Sequence, residues 1–99
     1  MRGALNDHLR RIADLASLYQ IRTGSHGATD LSPVTMGAAL HFGWATPEVW
    51  MQESFAGYDV PWRSDLVRGW SLEEGGAFRL PDKPGLGIEL DEVVCALHP

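Results

Sequence analysis

Cysteine is almost absent from this sequence: the single Cys95 has no partner for an internal disulfide and excludes a cysteine-rich metal site. Basic residues are also few. Seven arginines and Lys83 form no run longer than two, against thirteen acidic residues and a net charge of -5, which argues against a phosphate-backbone partner. No apolar run approaches the roughly 18 residues that cross a bilayer. The polar start from Met1 to Arg11 has no apolar core of a signal peptide. These absences lead us to expect a cytoplasmic protein with no nucleic-acid partner and no membrane partner. Low-complexity tracts are missing too, and the only repetition is a pair of strand–helix units.

What is present is an ordinary globular mixture. Over 99 residues, 44% are hydrophobic and 21% charged, enough for one small domain or a piece of a larger one. The organising stretch runs from Arg22 to Pro33, where an apolar strand stops, polar groups gather and a helix begins. Gly24 and Gly27 are read as letting the backbone leave the sheet sharply, through the positive φ that glycine tolerates. Ser32-Pro33 restarts the chain as a helix: the serine oxygen accepts from a free amide, and proline gives up an amide that is unpaired anyway. His26, Thr29 and Asp30 lie between. In α/β sheets ligands sit beyond the carboxyl ends of strands, so this turn is the first candidate for chemistry.

Upstream, Leu5, Leu9, Ile12, Ala16 and Tyr19 recur at three and four residues and predict an amphipathic helix from Leu5 to Tyr19. Gln20 to Gly24 predicts a strand ending near Ser25. A second helix is expected from about Pro33 to Gly43, with Val34, Ala38, His41 or Phe42, and Ala45 turned inward. Pro47 breaks it, and Val49 to Glu53 reads as a second strand. Helix, strand, helix, strand in this order implies two parallel strands with helical crossovers, so that His26 and Glu53 occupy matching strand ends. From Ser54 to Val67 we expect a surface loop. Val67–Leu72 and Ala77–Leu80, joined by Glu73-Glu74-Gly75-Gly76, suggest a short hairpin. Pro81 to Gly87 is turn-rich, and Asp91 is placed to cap a final helix carrying Val93, Val94 and Leu97 inward.

Four segments together carry a family resemblance: His26 to Val34, Ala38 to Phe42, Met51-Gln52-Glu53 and Pro81 to Glu92. In order and spacing they resemble the C-terminal part of the enolase superfamily, of mandelate racemase and muconate lactonizing enzyme type, and most of all the mannonate dehydratase group. The resemblance implies an α/β fold in which residues 1–99 form the C-terminal portion of a (β/α) barrel, incomplete, with two parallel strands and their helices followed by a hairpin and a C-terminal helix. It implies Mg²⁺ held by three carboxylates on middle strands that would lie upstream of Met1, so tight Mg²⁺ binding by this chain is not expected. It implies an acid-sugar substrate bound by His26, Asp30 and Glu53, with His26 also catalytic as a proton-transferring group. Two departures bear on the substrate: Ala28 stands where a proline is common, and Ser54-Phe55-Ala56-Gly57 does not match the dehydratases.

Each site residue also has a plainer reading. His26 suits proton transfer because its ordinary pKa lies near neutrality, or it is a turn histidine satisfied by backbone. Asp30, just before a Ser-Pro helix start, can simply bind turn amides, and Glu53 can be a solvated loop acid. His8, His41 and His98 read as surface or packing residues, and the four tryptophans as core or interface aromatics. For the whole chain two functions stand side by side: a piece of a sugar-acid dehydratase completed by a missing N-terminal part, or a non-catalytic remnant or oligomerising protein that self-associates. A small ligand-binding module is a third reading.

Overall fold

The computed structural model describes residues 2–27, 32–53, 62–69, 75–80 and 82–98. Helix α1 (Arg2–Leu18) leads into strand β1 (Thr23–Ser25), helix α2 (Pro33–Ala45) and strand β2 (Val49–Gln52). β1 and β2 pair in parallel, with Thr23 opposite Val49, Gly24 opposite Met51 and Ser25 opposite Gln52, and the register shifts between Thr23 and Gly24. This is the expected α/β arrangement, with a sheet that stays open.

Local chemistry explains the joints. At the end of α1, Gln20 donates to the Ser17 carbonyl and Ile21 to that of Ala16, each at 3.0 Å, with Gln20 at φ 55°. These paired bonds satisfy the last carbonyls of the helix and turn the chain into β1. Glu48, at φ 65°, makes the corresponding joint before β2, and its carbonyl accepts from Thr23 at 3.1 Å. Ser32 caps α2 by accepting from the Thr35 amide at 3.3 Å, with Pro33 in the first turn. Thr46 closes the other end, its hydroxyl donating to the Phe42 carbonyl at 2.6 Å.

Beyond β2 a 3₁₀ turn (Arg63–Leu66), which ends the stretch expected to be a loop, runs into β3 (Val67–Arg68). β3 pairs antiparallel with β4 (Glu89–Leu90), and helix α3 (Glu92–Leu97) follows. The expected antiparallel element is therefore present, but Val67–Arg68 takes Glu89–Leu90 as its partner rather than Ala77–Leu80. The reason lies just past β4, where Asp91 donates its amide to the Leu66 carbonyl at 2.8 Å and receives Arg68 on its carboxylate. Of the turn expected at Glu73-Glu74-Gly75-Gly76, the two glutamates lie outside the described residues, and Gly75 and Gly76 form a turn at φ 63° and 78°.

Burial departs from the periodicity. The buried hydrophobic core among the described residues is Ala13 and Val67, while Leu9, Ile12, Leu15 and Leu18 of α1, and Tyr19 just after it, are exposed. On α2 the buried positions are Pro33 and Gly37, with Val34 and Ala45 exposed instead of inward. On α3 Val94 is half-buried, but Val93 and Leu97 are 69% and 71% exposed, which corrects the expected inward face. Trp44 is exposed rather than packed, and Trp62 stacks on His98 with ring centroids 3.9 Å apart.

Candidate functional site

The parallel ladder ends at Ser25 and Gln52, so the next residue on each strand, His26 and Glu53, leaves the sheet at the same end. His26 Nε2 lies 3.5 Å from Glu53 Oε2. Both side chains are reachable, His26 being 75% and Glu53 45% exposed. The same carboxylate oxygen accepts from the Gly27 amide at 3.1 Å, so Oε2 is hydrogen-bonded to a backbone N–H and stands at ion-pair distance from the imidazole when His26 is protonated. With Nε2 turned to the carboxylate, Nδ1 is the ring nitrogen left to meet another group.

Gly27 explains how the pair comes so close. A Cβ on Gly27 would overlap the Glu53 carbonyl oxygen and carbon and come within 3.0 Å of Met36 Cε. At Gly24 a Cβ would sit 2.8 Å from the Met51 carbonyl oxygen. Neither glycine has positive φ, which corrects the expectation that they serve by turning the chain. They serve by admitting the neighbouring strand, a close approach that any side chain would block.

Beside the pair, Arg22, Gly24, Met51 and Glu53, with Thr23 and Ser25, line an open depression of about 390 Å³. Gln52, half-buried, takes the other side of β2 and meets Met36 of α2 with its amide nitrogen 3.5 Å from the sulfur. The depression thus lies across the sheet from α2.

Of the residues expected at the site, His26 and Glu53 are brought together, and Asp30 lies outside the described residues. Gln52 was missed as a contributor. Its signals were its place as the last strand residue before Glu53 and its presence in the Met51-Gln52-Glu53 segment, neither of which gave it a role. A divalent cation does not fit here: among the described residues no three His, Cys, Asp or Glu side chains gather, and Glu53 already accepts from Gly27. Hard cations such as Mg²⁺ take six oxygen ligands. Nor, among the described residues, is any helix long and apolar enough to cross a membrane.

Comparison with known proteins agrees with this architecture. A family profile described as "Enolase C-terminal domain-like" matches residues 7–94. The chain is 50% identical over 94 residues to a D-mannonate dehydratase of Novosphingobium aromaticivorans, covering 93% of this chain and 22% of that protein. It is 45% identical over 92 residues to a D-galactonate dehydratase family member of Streptomyces bingchenggensis, again covering 93% of this chain and 22% of the relative. A mandelate racemase/muconate lactonizing enzyme-like protein of Rubrobacter xylanophilus superposes with a TM-score of 0.78 at 34% identity, over 90% of this chain and 22% of that one. The chain therefore spans about a fifth of the length of the curated relatives it matches.

Proposed function

Since the chain belongs to the enolase C-terminal domain-like family, we propose that residues 1–99 are the C-terminal portion of a sugar-acid dehydratase barrel, a carbon–oxygen lyase of the cytoplasm. The observation that carries this reading is the His26–Glu53 pair at the shared strand end. Relatives named as mannonate and galactonate dehydratases support the choice of acid sugars.

In such a reaction a base removes the proton next to a carboxylate and a hydroxyl leaves as water. The Mg²⁺ dependence typical of the family belongs to the complete enzyme, because the described residues of this chain do not fit the ion. The part played by this chain is substrate binding. Glu53 holds His26 through Nε2, and Nδ1 then binds a sugar hydroxyl or exchanges a proton with it. Glu53, partly exposed, accepts a second hydroxyl, and Asp30 a third.

The chain alone is incomplete. β1 and β2 each have one unpaired edge in the described sheet, and the apolar side chains of α1 are uncovered. The partner that fits is the rest of a (β/α) barrel, which closes at about 250 residues. Without it, open edges and exposed apolar faces favour self-association. The same exposed faces favour the second reading, an oligomerising and non-catalytic protein.

A chimera separates the two. Residues 7–94 replace the matching segment of the Novosphingobium D-mannonate dehydratase, and dehydration of sugar acids is followed. Turnover is expected, falling about ten-fold to a hundred-fold with His26→Ala or Glu53→Gln, as for a lost hydrogen bond to a charged or reacting group. A chimera indifferent to both substitutions overturns the site. A folded chimera without turnover favours the non-catalytic reading.

A further inference from the structure

The geometry points to Gln52 as the positioning residue that fixes the separation of His26 and Glu53. Backbone pairing between the parallel strands stops at Ser25 and Gln52. The next residues, which carry the two functional side chains, have no ladder to hold them. Gln52 supplies one with its side chain: Nε2 donates to the Glu53 carbonyl at 2.9 Å and to the Ser25 carbonyl at 3.4 Å.

An amide NH₂ has two N–H groups, shared here among a carbonyl on each strand and the Met36 sulfur. Ser25 immediately precedes His26, and the other carbonyl belongs to Glu53 itself. The amide is therefore an additional rung, made by a side chain, just where the backbone rungs end. Met36 Sδ, 3.5 Å from the same nitrogen, seats the rung against α2. From the far side, the Gly27 amide fixes the Glu53 carboxylate at 3.1 Å. Glu53 is thus held at its backbone by Gln52 and at its carboxylate by Gly27, and a rotation of either strand end is transmitted to the His26–Glu53 distance. Gln52 itself lies on the α2 side of β2, away from the depression, and acts through its neighbours.

This rests on the reading of His26 and Glu53 as the substrate-facing pair, but its test reads geometry instead of turnover. In the ¹⁵N-labelled chain, the Gly27 amide reports its bond to Glu53 by slow hydrogen exchange and by a resonance that moves as the carboxylate is protonated. The Thr23 amide, bonded to the Glu48 carbonyl at the opposite end of the ladder, reports the sheet. Gln52→Leu removes the amide; Gln52→Glu keeps its shape and, ionised, cannot donate. Both are expected to speed Gly27 exchange about five-fold and to blunt its pH response, with Thr23 unchanged. A wild-type Gly27 response in Gln52→Glu overturns the proposal. So does equal loss of protection at Thr23 and Gly27, which would make Gln52 a support of the whole sheet. Either result leaves the dehydratase reading standing, and a chimera without turnover leaves the Gln52 result intact.

Discussion

Arg68 sets Nε and Nη2 each 2.7 Å from a single oxygen of Asp91, Oδ2, and leaves Oδ1 to the amides of Val93 and Val94 at 3.1 and 3.2 Å. One carboxylate thus ties β3 to the start of α3 and caps the helix, with its two oxygens doing separate work.

The pH dependence of that clasp follows. The Arg68 hydrogen bond, and after it the Val94 amide, hold the Asp91 carboxyl below its ordinary value of 3.8. A carboxyl with a lowered folded-state pKa contributes stability above its unfolded value and loses it as pH falls through the folded one. Protection of the Val93 and Val94 amides is therefore expected to be constant from neutral pH down to about 4 and to fade below that. Asp91→Asn should remove most of this acid dependence. An unchanged acid profile in that variant would show that other carboxylates govern α3.

Gly27→Ala should be poorly tolerated, because the new methyl overlaps the backbone of Glu53 rather than a side chain that could swing aside. Overpacking of this kind typically costs about 1–3 kcal/mol. The loss is expected both in the urea midpoint and in protection of the Gly27 amide, and a neutral substitution would refute the close strand contact.

Gln20→Gly should stabilise the chain. A side chain in left-handed geometry costs about 1 kcal/mol more than glycine, part of which is offset by the greater freedom of unfolded glycine. A net gain of at most about 0.5 kcal/mol is expected in equilibrium unfolding. Destabilisation would mean that the Gln20 side chain makes contacts worth more than the strain.

The exposed face of α1 makes a fourth prediction. The wild-type chain should associate in sedimentation experiments, and Ile12→Lys with Tyr19→Lys should shift it towards monomer. Withdrawing two apolar side chains from an interface, at about 1.5–3 kcal/mol each, weakens association by about a hundred-fold or more. A wild-type chain that sediments as a monomer at high concentration would overturn this.

The elements that position the site were largely legible in the sequence. Ser32-Pro33 announces α2, Thr46-Pro47 ends it, and the alternation of helix and strand predicts the parallel pairing of Thr23–Ser25 with Val49–Gln52. The juxtaposition of His26 and Glu53 followed from equal placement at strand ends. What stayed hidden depends on distance between segments. No periodicity states that Gly27 faces a carbonyl, or that β3 prefers Glu89–Leu90 to a nearer partner. The burial errors share one cause: Ile12, Tyr19, Val93 and Leu97 have the spacing of packed residues, but the described chain offers nothing to pack against them.

Gly27 has a consequence for how such a scaffold diversifies. A histidine or glutamate that binds a particular sugar can be exchanged when the substrate changes, since its value depends on what it touches. The backbone contact between Gly27 and Glu53 depends only on how closely two strand ends run. The glycine therefore answers to a constraint independent of any ligand, and a side chain at that position would force the two strand ends apart whatever they bind.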